Sequence, residues 1–215
     1  DMTFGFQSAL EIATNAIDCI HTTAASHSRI FIVEVMGHKT GWLTLHAGIA
    51  GGADVILLPE LPYDIHKVAD ALKQRTENGK HFSILAVAEG AISKEDAALT
   101  RSEYKKKKPR NTYPSIAYEI ADQLAAETGQ EVRITIPGHT QRGGSPNAYD
   151  RVLASRLGSF AAQLILEEHY GFMVALREGK LVALPLEEVS GKLKTVPPEH
   201  EMIAQAKEIG ICFGN

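Results

Sequence analysis

Three short apolar runs, each closed by a structure-breaking residue and separated by helix-patterned segments, constrain this chain most. Arg29-Ile-Phe-Ile-Val-Glu-Val35 is rich in β-branched residues and ends at Met36-Gly37. Asp54-Val-Ile-Leu-Leu58 ends at Pro59, and His81 to Ala88 ends at Glu89-Gly90. Runs without apolar–polar alternation read as strands buried on both faces. Between them lie helical patterns. Phe6, Leu10, Ala13, Ile17 and Ile20 recur at helical spacing, a second helix runs from about Thr40 to Ala50, and Asp64 is a good N-cap for a third reaching about Glu77. Gly51-Gly52 and Asn78-Gly79 are the stops. Alternation of this kind predicts an α/β fold, a parallel sheet covered by helices in three layers. Such sheets bind ligands outside the carboxyl ends of their strands. That rule directs attention to Met36-Gly37, Pro59-Glu60 and Ala88-Glu89-Gly90.

The rest of the chain adds helices and short strands. Ser93 to Lys108 is polar and helical in composition, and Lys105 to Asn111 reads as a flexible insertion. A helix from about Ser115 to Thr128 stops at Gly129, and Val132 to Ile136 is a strand. Gly138 to Arg151 is a loop leading into a helix from Ala148 to about Glu168. Phe172 to Leu186 reads as two strands joined at Glu178-Gly179, and a last helix covers about Glu199 to Glu208.

Bulk properties exclude several function classes. Hydrophobic content of 44% and charged content of 22% are those of an ordinary soluble globular chain. A net charge of −4 gives no electrostatic reason to expect nucleic acid or an anionic membrane as partner. No apolar run reaches the length of a membrane span, and no leader pattern is visible at Asp1. Cys19 and Cys212 stand far apart in no metal-like spacing, so reduced thiols and a cytoplasmic location are expected. The chain starts without Met, as a piece of a longer polypeptide would.

The strongest chemical signal is Gly138-His-Thr-Gln-Arg-Gly-Gly-Ser-Pro146, between a strand and a helix. Its glycines let backbone amides approach a ligand closely. Ser145 is the expected N-cap with Pro146 at the first helical position, and that helix start favours an anion such as phosphate. His139 and Arg142 are placed to reach the same anion. Arg29 and Arg133 bracket strands; each alone is more often a surface or ion-paired arginine, although the planar fork of arginine suits phosphate. Glu89, at a strand end, is equally a sugar-hydroxyl acceptor or a helix-capping or ion-paired carboxylate. His27 and His38 flank the first strand without a metal-ligand pattern, and Trp42 is expected in the core. The Lys105–Lys108 run is read as a solvated basic loop.

Taken together, these segments resemble the 6-phosphofructokinase family across nearly the whole chain. The resemblance rests on Thr3-Phe-Gly-Phe-Gln-Ser-Ala9, Ser26-His-Ser-Arg29, Val33-Glu-Val-Met-Gly37, Ile49-Ala-Gly-Gly-Ala53 with Pro59-Glu60, Val87-Ala-Glu89, and Pro137 to Pro146 with Asp150-Arg151. It implies that residues 1–215 are the fructose 6-phosphate-binding lobe and C-terminal part of such an enzyme. It also implies that His139 and Arg142 bind the 6-phosphate from within the subunit. Met36, Gly37 and Glu89 would contact the sugar, and Arg29 and Arg133 would reach across from a neighbour, making the enzyme a homo-oligomer with shared sites. Three arginines and a histidine around a dianion supply charge-assisted hydrogen bonds of roughly 1.5–3 kcal/mol each before desolvation.

The resemblance carries departures. His38 stands where the family usually has Arg, so support of the transferring phosphoryl group would fall to His38 or Lys39. His21 replaces an arginine of the effector pocket and its lysine cluster is thinned to Asn78-Gly79-Lys80-His81, so weak or absent regulation by ADP or phosphoenolpyruvate is expected. The donor-binding loops and the Thr-Ile-Asp-Asn-Asp catalytic motif of the family would lie upstream of Asp1. Mg²⁺ with ATP or pyrophosphate would belong to the full-length enzyme, with none of these bound by this chain alone. The isolated chain is therefore expected to be inactive. A pyrophosphate-dependent enzyme and a non-catalytic sugar-phosphate-binding subunit are the alternatives.

Overall fold

Ile30–Val35 forms β1, and all six residues are buried, so both faces of the strand need cover. The computed structural model describes residues 2–24, 29–107 and 113–215. His27, with Ser26 and Ser28 beside it, and the Lys108–Asn111 end of the expected insertion lie outside the described residues. β2 (Val55–Leu57), β3 (Ser83–Ala88) and β4 (Val132–Thr135) join β1 in a parallel sheet of order β2-β3-β1-β4. The register pairs Ile30 with Ser83 and with Val132.

Alternation along the strands sends side chains to two layers. Ile30, Ile32, Leu57, Leu85 and Val87 pack with Val68 and Leu72 of α3 (Ile65–Glu77) and with Ile120 and Leu124 of α6 (Ile116–Thr128). On the opposite face α2 (Trp42–Ala50) packs against Ile56 and Ala86, and Ile17 of α1 (Phe6–Ala24) lies against Gly51 at the end of α2. Here α2 lies so close to the sheet that a Cβ on Gly48 would come within 2.7 Å of the Ile56 side chain and 3.1 Å of Ala86. Each fully buried Leu, Ile or Val in these layers contributes about 1.5–3 kcal/mol. This is the α/β three-layer arrangement expected from the sequence.

Ends of elements follow local chemistry, with three corrections to the sequence reading. Asp64 caps α3 by accepting from His66 N, and Gly129 ends α6 in the left-handed region at φ 68°, both as expected. The polar segment from Ser93 is helical, as its composition suggested, but is broken into two helices, α4 (Lys94–Ala97) and α5 (Arg101–Lys107). Ser93 caps the first. Thr100 and Glu103 form a reciprocal capping box that opens the second. Lys105–Lys107 are therefore helical, and Lys107 pairs at 2.7 Å with the buried Asp96. The third correction concerns α7 (Ala148–Leu166): its cap is Asn147, accepting from Asp150 N, and not Ser145. Ser8 explains the choice, because its Oγ accepts from Asn147 N and donates to the buried Asp150 carboxylate.

β5 (Phe172–Arg177) and β6 (Lys180–Pro185) form an antiparallel hairpin across Glu178 and Gly179, both at positive φ, as a two-residue turn of the primed type demands. α8 (Leu186–Val189) follows, then α9 (Glu201–Glu208). Beyond α9 the tail returns to the sheet, where Ile56 N donates to Cys212 O and Cys212 N to Asp54 O. The chain divides into two compact units. One holds the start through Glu11 with Arg142–Lys194, and the other holds Ile12–Gln141 with Thr195–Asn215. Among the described residues no helix is long and apolar enough to cross a membrane.

Candidate functional site

β1 and β3 are neighbours, but the chain leaves them on opposite faces. After β1 it runs into α2 on one side; after β3 it runs on to α6 on the other. Neighbouring strands with diverging connections open a crevice at their carboxyl ends. Met36-Gly37-His38 and Glu89-Gly90 border it.

The crevice is built from backbone held by carboxylate. Glu89 Oε1 accepts from Gly37 N at 3.0 Å and from His38 N at 2.5 Å. Gly37 and Gly90 are demanded by crowding: a Cβ on Gly37 would lie 2.3 Å from Thr40 O, and one on Gly90 would lie 2.2 Å from His38 O. His38 itself sits at φ 57°, a left-handed conformation that non-glycine residues adopt rarely. Its side chain and that of Lys39 are exposed. The next turn is pinned by Glu60, whose carboxylate takes Gly41 N at 3.0 Å and Val196 N at 2.9 Å.

β4 delivers the second loop. It runs beside β1 to Thr135, level with Val33, and Gly138–Arg142 then forms a 3-10 turn. His139 is exposed on this turn, and Arg142 ends it, also exposed. Gln141 is its buried member and reaches the Met36 amide at 3.2 Å. Met36, Gly37, His38 and Glu89, with the turn that carries His139, thus gather at one end of the sheet. Arg29 and Arg133 do not join them. Arg29 precedes β1 and Arg133 lies beside Phe31, and both pair with the Glu131 carboxylate. Arg29 is seven residues before Met36 in the sequence, roughly 23 Å away along a strand.

Three polar residues of this region had no assigned role in the sequence. Gln141 was visible inside the glycine-rich block, and Glu60 stood at a strand end. Glu34 was the lone charge in an apolar run; it is buried and accepts from Ala117 N, anchoring the start of α6. Trp42 is half-buried, edge-on to the His200 ring at 5.2 Å and tilted to His46 at 6.1 Å, at the margin of the core and not within it. Among the described residues no three His, Cys, Asp or Glu side chains converge to hold a metal ion.

A sequence-family model described as phosphofructokinase matches residues 1–165. The chain belongs to the phosphofructokinase family. Among curated proteins, an ATP-dependent 6-phosphofructokinase of Spirochaeta thermophila is 53% identical over 215 residues, which is 100% of this chain and 59% of that protein. The chain therefore spans less than two thirds of the length of this phosphofructokinase. Among solved structures, a phosphofructokinase from Saccharomyces cerevisiae is similar with a TM-score of 0.74 and 36% identity, covering 98% of this chain and 26% of that one. A pyrophosphate-dependent phosphofructokinase from Marinobacter aquaeolei shares the fold at TM-score 0.72 and 19% identity, covering 98% of this chain and 51% of that one. The two loops at this end of the sheet, joined by the Met36–Gln141 bond, carry residues of the Val33–Gly37 and Pro137–Gln141 segments.

Proposed function

We propose that this chain is the acceptor-binding part of an ATP-dependent 6-phosphofructokinase, holding fructose 6-phosphate while its 1-hydroxyl receives the terminal phosphoryl group. One observation carries the reading: Glu89 gathers the Gly37 and His38 amides at the strand ends beside the turn that bears His139. Glu89 Oε1 is taken by the two amides, and Oε2, which meets no donor among the described residues, accepts from sugar hydroxyls. Met36 and Gly37 border the sugar. His139 and Arg142 bind the 6-phosphate, and His38 or Lys39 supports the transferring group.

Arg29 and Arg133 lie too far along the strands to serve the same site in one chain. That supports their service to a neighbour's site in a homo-oligomer. ATP as donor is favoured by the Spirochaeta relative, which is named ATP-dependent. The donor pocket, the proton-accepting aspartate and the Mg²⁺ carboxylate belong to the remaining part of the full-length protein. Residues 1–215 act as the acceptor lobe of a cytoplasmic enzyme. Orientation of the acceptor is a large share of such catalysis, because phosphoryl transfer depends on positioning and charge neutralisation.

Calorimetry with fructose 6-phosphate, run on this chain and on Arg142→Ala, tests the reading. A coupled assay with ATP or pyrophosphate is run on the same samples. Binding that Arg142→Ala weakens at least about tenfold, without turnover, is the expected result. Equal binding by both proteins would remove Arg142 from the site, and turnover by the chain alone would overturn the division of labour. In the full-length protein, activity with pyrophosphate and not ATP would reverse the donor. Activity with neither donor would favour the binding subunit.

A further inference from the structure

We propose that Gln141 is the positioning residue that sets the distance between the sugar end and the phosphate end of the acceptor site; this rests on the reading of that site as one for fructose 6-phosphate. Gln141 is 1% exposed although its neighbours His139, Thr140 and Arg142 are all exposed. Its Oε1 accepts from Met36 N at 3.2 Å, and its Nε2 donates to Gly138 O at 3.2 Å. Both partners are backbone, one only a donor and the other only an acceptor, so one amide orientation alone satisfies both. The ladder between β1 and β4 ends at Val33 and Thr135. Past that point the Met36–Gln141 bond is the hydrogen-bonded link between the two loops among the described residues.

The consequence is mechanical. The Met36-Gly37 loop is held from one side by Glu89 and from the other by Gln141. The turn carrying His139 is closed locally by bonds from Thr140 to Pro137 O, but these fix only its internal shape. Gln141 ties that shape to the sugar loop. A ligand that spans both loops needs them at a fixed separation, whereas a phosphoryl donor bound elsewhere does not.

In the full-length enzyme, kcat and both KM values of Gln141→Met and Gln141→Glu are compared with wild type. Gln141→Met fills the space without either bond, and the KM for fructose 6-phosphate is expected to rise about tenfold or more with the donor KM unchanged. Gln141→Glu keeps the acceptor for Met36 N but sets a carboxylate oxygen against Gly138 O. Protonation restores the donor, so its acceptor-KM penalty relative to wild type is expected to shrink as pH falls from about 8 to about 6. Acceptor KM within about twofold of wild type in both folded variants, or both KM values rising together, would overturn the proposal. Amide exchange gives a readout independent of substrate: Met36 N–H exchanges faster in Gln141→Met while Val33 N–H does not. If wild type neither binds nor phosphorylates fructose 6-phosphate, the functional reading falls. Exchange at Met36 then decides the coupling: faster exchange supports it and unchanged exchange overturns it.

Discussion

At the scale of the residue, Asp54 shows how burial and pairing compete. Its carboxylate accepts from Ile84 N at 2.9 Å and pairs with Arg75 at 2.7 Å, yet desolvation outweighs these and pushes its pKa above the ordinary aspartate value. The folded state therefore binds this proton more tightly than the unfolded chain does. Its stabilising contribution is present below the unfolded pKa and is lost as pH rises through the higher folded value. Urea midpoints of wild type and Asp54→Asn from about pH 3 to about pH 6 check this. The difference should move in favour of wild type as pH falls. The opposite slope would mean that the Arg75 pair dominates. Residues of this kind set the limit of what a sequence reveals. Glu89 was visible as a carboxylate at a strand end, but its capture of the Gly37 and His38 amides depends on β1 lying beside β3.

At the scale of the element, caps decide boundaries. Asp64 opens α3 by accepting from His66 N at 3.0 Å. Asp64→Ala should cost about 0.5–2 kcal/mol, read as a lower denaturation midpoint, while Asp64→Asn should cost much less. Equal losses would mean that the charge and not the cap matters. α3, β1, β3 and the Gly129 stop were legible because their signals are local: an N-cap, a β-branched run, a glycine free to take positive φ. The start of α7 was not. Ser145-Pro146-Asn147 offers two caps, and the choice falls on Asn147 because Ser8, 139 residues earlier, bonds its amide. The return of the tail to the edge of β2 at Cys212 was equally hidden, since a single bridge leaves no periodicity.

At the scale of the whole molecule, the two ends of the parallel strands carry different arginines. Arg29 and Arg133 stand at one end, paired with Glu131, and the Gly138–Arg142 turn follows the other. If neighbouring subunits complete each other's sites, full-length Arg133→Ala and Arg142→Ala proteins should complement after mixing. In a two-fold dimer each heterodimer regains one intact site, so a statistical mixture should recover about a quarter of wild-type activity. No recovery from a verified heterodimer would place Arg133 and Arg142 in one subunit's service or remove Arg133 from the shared site.

By itself the sequence determined the layer architecture and the family, because strand and helix periods and the Glu-Val-Met-Gly and Gly-His-x-Gln-Arg-Gly-Gly blocks are contiguous patterns. Only the tertiary structure decided which face each connection takes, and so which strand ends share a crevice. It also decided that Gln141 is buried against Met36 while Arg29 lies remote, because pairing 105 residues apart follows from sheet order and not from chain order.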